Sequence, residues 1–104
     1  MIQLLSEKQE GLRELCRAYG VRRLEVFGSA ATDDCFDGKT SDLDFLVEFK
    51  AGYQLGPWLK NYFDLKSALE RLFQRPVDLV IASALKHPLL IREVNRTRAL
   101  LYAA

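Results

Sequence analysis

The clearest pattern along the chain is the alternation of apolar and polar residues in the segment SDLDFLVEF, residues 41–49. Successive side chains of an extended chain point to opposite faces, so one face is apolar and holds Leu43, Phe45, Val47 and Phe49. The opposite face holds Asp42, Asp44, Leu46 and Glu48. The pattern predicts a β-strand with one buried face.

Two shorter segments have the same two-residue period. Residues 23–27 form a short strand-like run that ends at Gly28. Residues 77–81 place their apolar side chains on one face and leave Asp78 on the other. Both segments are therefore predicted to be strands.

Apolar residues at helical spacing predict three helices. The first covers about residues 3–19 and ends at Gly20, the second covers about residues 58–74, and the third begins at Pro88. The C-terminal segment RTRALLYAA, residues 96–104, is compatible with a continued helix or with an edge strand. This order of elements predicts an α+β fold, a single mixed β-sheet with helices packed on one face.

Composition narrows the class of protein. The 104 residues, of which 49% are hydrophobic, suffice for one domain covering residues 1–104. A formal net charge of +1 gives no general attraction to nucleic acid or to a membrane surface, so neither is an expected partner. Cys16 and Cys35 lack metal-ligand spacing, and no signal sequence or membrane-length apolar run is evident. We therefore expect a cytoplasmic location.

Three aspartates stand out as candidate metal ligands. On a strand, Asp42 and Asp44 leave the same face with Cα atoms roughly 6.5 Å apart. Asp78 also lies on the polar face of its strand, and it could join them from a neighbouring position in the sheet. Repelling carboxylates are compensated by a hard divalent cation such as Mg²⁺. The alternative interpretation is that these aspartates only keep a strand edge soluble or cap a turn.

A Gly-Ser pair directly follows the first predicted strand. Gly28 allows a close backbone approach to a phosphate group, and the hydroxyl of Ser29 adds a hydrogen-bond donor. A Gly-Ser pair is also an ordinary turn. Its weight comes from its order along the chain, ahead of the Ser-Asp-x-Asp strand and Asp78.

Four segments together resemble a known family: VFGSA, SDLDFLVEF, YFDLKSALERLFQRPVDLV and LLYAA. They are similar to the minimal nucleotidyltransferases of the DNA polymerase beta-like superfamily, and the resemblance covers nearly the entire chain. It implies the polymerase beta-like nucleotidyltransferase fold. Members are commonly antitoxins of HEPN-domain toxins, and some transfer AMP from ATP onto a toxin tyrosine.

The resemblance also implies roles for individual residues. The nucleotide would be bound by Gly28, Ser29 and Ser41. The catalytic residues, which would also bind Mg²⁺ or Mn²⁺, would be Asp42, Asp44 and Asp78. ATP would be the co-substrate and a HEPN toxin the partner, in a hetero-oligomeric complex.

The loop after Ser29 departs from the family pattern. Residues 30–40 read AATDDCFDGKT and lack the arginines that the family usually has there. A guanidinium would stabilise charge on the triphosphate. Two functions therefore remain: an adenylyltransferase, or a weakly active or inactive binding module that neutralises its partner by contact.

The residues from Asp33 to Asp44 partly match the 12-residue pattern of a calcium-binding loop. Positions 1, 5, 6, 9 and 12 of that pattern would be Asp33, Asp37, Gly38, Ser41 and Asp44. Position 3 would be Cys35, a poor ligand for a hard cation, and position 12 would lack the usual glutamate. The pattern therefore does not predict calcium binding.

Two other conspicuous features receive simpler interpretations. His87, directly before Pro88, is predicted to be a loop or helix-cap residue. Trp58, Tyr62 and Phe63 are predicted to be core or interface aromatics, because no basic groove accompanies them.

Overall fold

The computed structural model describes residues 2–32 and 42–104. The helices in these ranges are α1 Gln3–Glu7, α2 Gln9–Ala18, α3 Ser29–Thr32, α4 Lys60–Phe73 and α5 Pro88–Thr97. The strands are β1 Val21–Phe27, β2 Leu43–Phe49, β3 Val77–Ile81 and β4 Ala99–Ala103. Within the described ranges, no helix is both long and apolar enough to cross a bilayer.

The strands form one mixed sheet in the order β3-β2-β1-β4. The central strand β1 is antiparallel to both β2 and β4, whereas β2 and β3 are parallel. The predicted α+β class and single mixed sheet are thus confirmed. The C-terminal segment, which the sequence left open, ends α5 at Thr97 and then forms the edge strand β4.

The first predicted helix is divided in two. Lys8, with φ −102° and ψ 17°, leaves helical geometry and separates α1 from α2. The turn that follows α2 is at Gly20, as predicted, with a φ of 64°. A Cβ at Gly20 would lie 2.1 Å from a ring carbon of Tyr53, so only glycine fits beneath that ring.

The main core lies between the apolar face of the sheet and the helices α1, α2 and α4. The sheet contributes the fully buried Leu24, Val26, Phe45 and Val47. The helices contribute Leu5, Leu12, Cys16, Leu65, Leu69 and Phe73. The rings of Phe45 and Phe73 pack 5.7 Å apart at an interplanar angle of 34°. This face corresponds to the apolar side of the predicted alternation.

The opposite face of the sheet carries the charged residues and is only partly covered. Helix α5 packs there, where Val94 forms a small buried cluster with Phe27 and Leu46. The predicted arrangement of helices is thus refined, because α5 lies on the face opposite to α1, α2 and α4. The position of α5 brings its side chains close to the polar residues of β1 and β2.

The outer edge of β3 is covered by side chains of α4. The Tyr62 hydroxyl donates a hydrogen bond to the Leu79 carbonyl. The Val77 N–H donates to Oε2 of Glu70 over 3.1 Å. An uncovered edge strand would offer these backbone groups to other chains. Helix α4 therefore fixes β3 in place and also limits strand pairing at that edge.

Candidate active site

Asp44 and Asp78 are directly opposite each other on the parallel strands β2 and β3. Neighbouring strands lie about 4.8 Å apart, so the two side chains project side by side from the polar face. Asp42 is exposed and lies one residue before β2 begins. The alternation in the sequence therefore indicated correctly that Asp44 and Asp78 share one face, whereas the face of Asp42 stays a prediction.

The electrostatic environment of Asp44 is unfavourable for its charged form. Burial raises the pKa of the Asp44 carboxyl to about 6, and the negative charges of Asp78, Asp42 and Glu93 add to the effect. In the described part of the chain, no lysine or arginine forms an ion pair with any of the three aspartates. The described part of the site thus concentrates negative charge around Asp44.

Glu93 is a contributor that the sequence analysis missed. It lies on α5 and forms an ion pair with Arg96, with 2.9 Å between Oε1 and Nη2. Its charge is close enough to raise the pKa of Asp44. Only the packing of α5 across the polar face brings Glu93 there, and no local sequence pattern signals it.

Gly28 forms the turn between β1 and α3 and lies against Asp44. Its φ of 74° is in the left-handed region that favours glycine. An ideal Cβ on Gly28 would be 2.7 Å from Oδ2 of Asp44. The absence of a side chain therefore leaves room for the Asp44 carboxylate.

The N–H of Gly28 is already engaged. It donates a hydrogen bond of 2.8 Å to Oγ1 of Thr97, at the end of α5. The Gly28 carbonyl in turn accepts from the N–H of Ala31 over 3.1 Å. The backbone N–H of Gly28 is thus occupied by Thr97, and the next residue of the turn is the half-buried Ser29. Thr97 is a second residue that the sequence analysis missed.

Asp42, Asp44 and Asp78 are the candidate ligands for a divalent cation. Among residues 2–32 and 42–104, no group of three or more acidic, histidine or cysteine side chains is arranged to hold a metal ion. The chemistry nevertheless fits, because Asp44 and Asp78 lie in register on neighbouring strands and carboxylate oxygens are the ligands that a hard divalent cation prefers. Asp42, exposed and one residue before β2, would complete the set.

Several residues singled out in the sequence lie outside the described ranges. They include Ser41 and the residues of the calcium-loop pattern from Asp33 to Gly38. The interpretation of Ser41 as a nucleotide-binding residue therefore stays a prediction.

Two interpretations away from the site can be compared with the structure. His87 caps α5, because its Nδ1 accepts a hydrogen bond of 3.2 Å from the Leu89 N–H, as predicted. Trp58 is 95% exposed and is therefore not a core residue. Its interpretation as an interface aromatic stays a prediction.

Comparison with known proteins identifies the family. The family described as "Nucleotidyltransferase domain" matches residues 8–100. The chain belongs to the nucleotidyltransferase domain family. This chain is 34% identical over 98 residues to a Methanocaldococcus jannaschii protein named "Putative protein adenylyltransferase MJ0128". That match covers 90% of this chain and 94% of the relative.

Solved structures agree with this assignment. The chain is similar to a solved structure described as "Structure of putative minimal nucleotidyltransferase", with a TM-score of 0.72 and 35% identity. The match covers 94% of this chain and 95% of the other. The resemblance to minimal nucleotidyltransferases is thereby confirmed. A second similar chain belongs to a complex of tri-AMPylated Shewanella oneidensis HEPN toxin with MNT antitoxin. Its TM-score is 0.64 at 17% identity, covering 96% of this chain and 73% of the other, and it shows the fold alone.

Proposed function

We propose that this nucleotidyltransferase is a protein adenylyltransferase that transfers AMP from ATP to a tyrosine hydroxyl of a HEPN toxin, and so acts as its antitoxin. The observation that carries the proposal is the Asp44–Asp78 pair, which lies in register on neighbouring strands with Asp44 against the Gly28 turn and with the pKa of Asp44 raised by burial and by its acidic neighbours. The name of the Methanocaldococcus jannaschii relative and the AMPylated toxin in the Shewanella oneidensis complex support it. Dependence on ATP is consistent with a cytoplasmic location.

The three aspartates would hold the metal ion of the reaction. Mg²⁺ or Mn²⁺ bound by Asp42, Asp44 and Asp78 would neutralise charge on the phosphates and lower the pKa of the acceptor hydroxyl. Asp44 is suited to this role because it lies between the other carboxylates and the Gly28 turn. Cation binding would also relieve the repulsion that raises its pKa.

The remaining groups would position the reactants. Gly28 would allow the backbone of the turn to approach the phosphates closely, and Ser29 would donate a hydrogen bond from its hydroxyl to a phosphate oxygen. The tyrosine oxygen attacks the α-phosphorus, a new oxygen–phosphorus bond forms, and the bond to the bridging oxygen breaks as pyrophosphate leaves. The proton of the acceptor passes to an aspartate of the site or to water.

The proposal is tested by incubating the protein with its cognate HEPN partner, ATP and Mg²⁺ and measuring the intact mass of the partner. We expect a mass increase of one or more AMP units. It should disappear with the double substitution Asp42→Ala/Asp44→Ala. Asp64→Ala is the matched control, because Asp64 lies on α4 in an exposed ion pair with Lys60 and should leave transfer unchanged.

The same experiment distinguishes the alternative function. If the partner gains no mass but is still inhibited, and if inhibition survives the double substitution, the protein is a binding module that acts by contact. That outcome would refute the proposed enzyme and leave the family assignment unaffected.

A further inference from the structure

The end of α5 is attached to the Gly28 turn by one side chain. Thr97 is the last residue of α5 and is only 6% exposed. Its Oγ1 accepts the hydrogen bond of 2.8 Å from the Gly28 N–H and donates one of 2.7 Å to the Glu93 carbonyl. We infer that Thr97 is a positioning residue that holds the Gly28–Ser29 turn in its nucleotide-binding position. The inference rests on the proposed function.

Both hydrogen bonds fix the direction of the Thr97 hydroxyl. The hydrogen points back to the carbonyl one helical turn earlier, so a lone pair of the oxygen faces Gly28. Threonine is branched at Cβ, which restricts rotation about χ1. The acceptor offered to the turn is thus held in one place by the helix itself.

The turn needs such an anchor because it contains a glycine. Glycine adopts many backbone conformations at similar energy, and Gly28 has a φ of 74° at a position where an added Cβ would meet Asp44. Fixing the N–H of Gly28 restricts rotation of the peptide group that precedes it. The position of Ser29, the next residue, is then set relative to Asp44.

A second contact from the adjacent residue strengthens the anchor. Arg98 donates two hydrogen bonds to Glu25 on β1, from Nε to Oε2 over 2.7 Å and from Nη2 to Oε1 over 2.6 Å. The corner between α5 and β4 therefore holds β1 through Arg98 and the turn beyond β1 through Thr97. Motion of this corner would be transmitted directly to the Gly28–Ser29 turn.

The first test measures the anchor without any ligand. Thr97→Val keeps the shape of the side chain but removes the acceptor, whereas Thr97→Ser keeps the hydroxyl. We expect exchange of the Gly28 amide hydrogen to become roughly tenfold faster in Thr97→Val and to change little in Thr97→Ser. Unchanged exchange in Thr97→Val would overturn the inference.

The second test measures the consequence for nucleotide binding. ATP with Mg²⁺ is titrated into each variant by calorimetry, well below the melting temperature. We expect the Kd to rise roughly tenfold for Thr97→Val and to stay within about twofold of the wild type for Thr97→Ser, since one hydrogen bond positions the turn. Leu72→Ala is the stability control, because Leu72 packs on Gly11 at the other face of the sheet. It should lower the melting temperature without changing the Kd.

The outcomes separate this inference from the proposed function. If the wild type binds ATP and Thr97→Val binds it with the same Kd, the inference is overturned and the adenylyltransferase proposal stays intact. An equal loss of affinity in Leu72→Ala would show that Thr97 acts through stability only, and would also overturn it. A wild type that binds no ATP would refute the proposed function, and the inference with it.

Discussion

Gly28 and Asp44 meet at the point where the first strand ends and the second begins. The ideal Cβ position of Gly28 lies only 2.7 Å from Oδ2 of Asp44, and Gly28 has a φ of 74°. Two separate requirements, backbone conformation and space, therefore call for glycine at this position.

Gly28→Ala should disrupt the site more than the fold. We expect a loss of about 1–2 kcal/mol in the free energy of unfolding from the left-handed backbone, and displacement of the Asp44 carboxylate with loss of AMP transfer. Gly52→Ala is a matched control, because Gly52 has a φ of 78° with nothing within 4 Å of its ideal Cβ. Urea unfolding and the transfer assay test both variants, and equal transfer by the two would contradict the role of the contact.

Asp44→Asn should stabilise the protein without metal while abolishing transfer. The folded protein raises the pKa of Asp44 to about 6 from 3.8, so ionised Asp44 destabilises the fold above pH 6. Above pH 6 the substitution should raise the free energy of unfolding by up to about 3 kcal/mol. Solvent screening of the partly exposed carboxyl reduces this gain. The gain should shrink as the pH falls toward 4, because wild-type Asp44 is then protonated. Unfolding in urea with EDTA across this pH range measures it.

Phe45→Ala provides the contrast on the buried face of the same strand. Phe45 is fully buried and packs against Phe73, so its removal should cost about 3–5 kcal/mol. The measurement is the same urea unfolding. Similar losses for Phe45→Ala and Asp44→Asn would mean that the two faces of β2 have been assigned wrongly.

The Glu25–Arg98 pair should give a stability that depends on pH. Hydrogen bonding by Arg98 holds the pKa of Glu25 below its usual value of 4.5, despite burial of the carboxyl. Its contribution is therefore present above about pH 4.5 and is lost as the pH falls through the lower pKa of the folded state. Arg98→Gln should cost about 1–3 kcal/mol at pH 7 and less at pH 3.

Arg22→Gln is the control for that prediction. Arg22 also forms an ion pair across the sheet, with 2.9 Å between Nη1 and Oε1 of Glu48, but both side chains are exposed. Its loss should cost less than about 1 kcal/mol at pH 7. Chemical denaturation of both variants at the two pH values decides the matter, and equal costs would argue against a special role for Glu25.

Metal and nucleotide together should raise the melting temperature of the wild type. A ligand that binds only the folded state stabilises it by mass action. Asp42→Asn should abolish the rise in melting temperature caused by Mg²⁺ or Mn²⁺ with ATP. Asp64→Asn should keep it, because Asp64 lies on α4, where it pairs with Lys60, and not in the candidate site. A wild-type melting temperature that does not change in millimolar metal and ATP would count against the site.

Local sequence patterns were sufficient to predict strand β2 and the face of the sheet on which its residues lie. The alternation put Phe45 in the core and Asp44 on the polar face, where the structure has them. The segment from 96 to 104 could not be decided in this way. Its conversion from helix to strand after Thr97 depends on pairing with β1, a contact between residues far apart in the chain.

Most of the features that the sequence patterns did not predict involve residues on α5. The periodicity predicted a helix after Pro88 but not that it would cross the polar face of the sheet. The roles of Glu93 and Thr97 follow only from that crossing. The kink at Lys8 was also not predicted, because the apolar spacing continues across it.

The attachment of the Gly28 turn to Thr97 has a consequence for synthesis on the ribosome. Chains emerge from the N-terminus, so strands β1, β2 and β3 leave the exit tunnel before α5 and β4 do. Asp44 and Asp78 can pair at that stage, but the Gly28 N–H has no acceptor until Thr97 has emerged. The Gly28–Ser29 turn is therefore the part of the candidate site that matures last on each newly made chain.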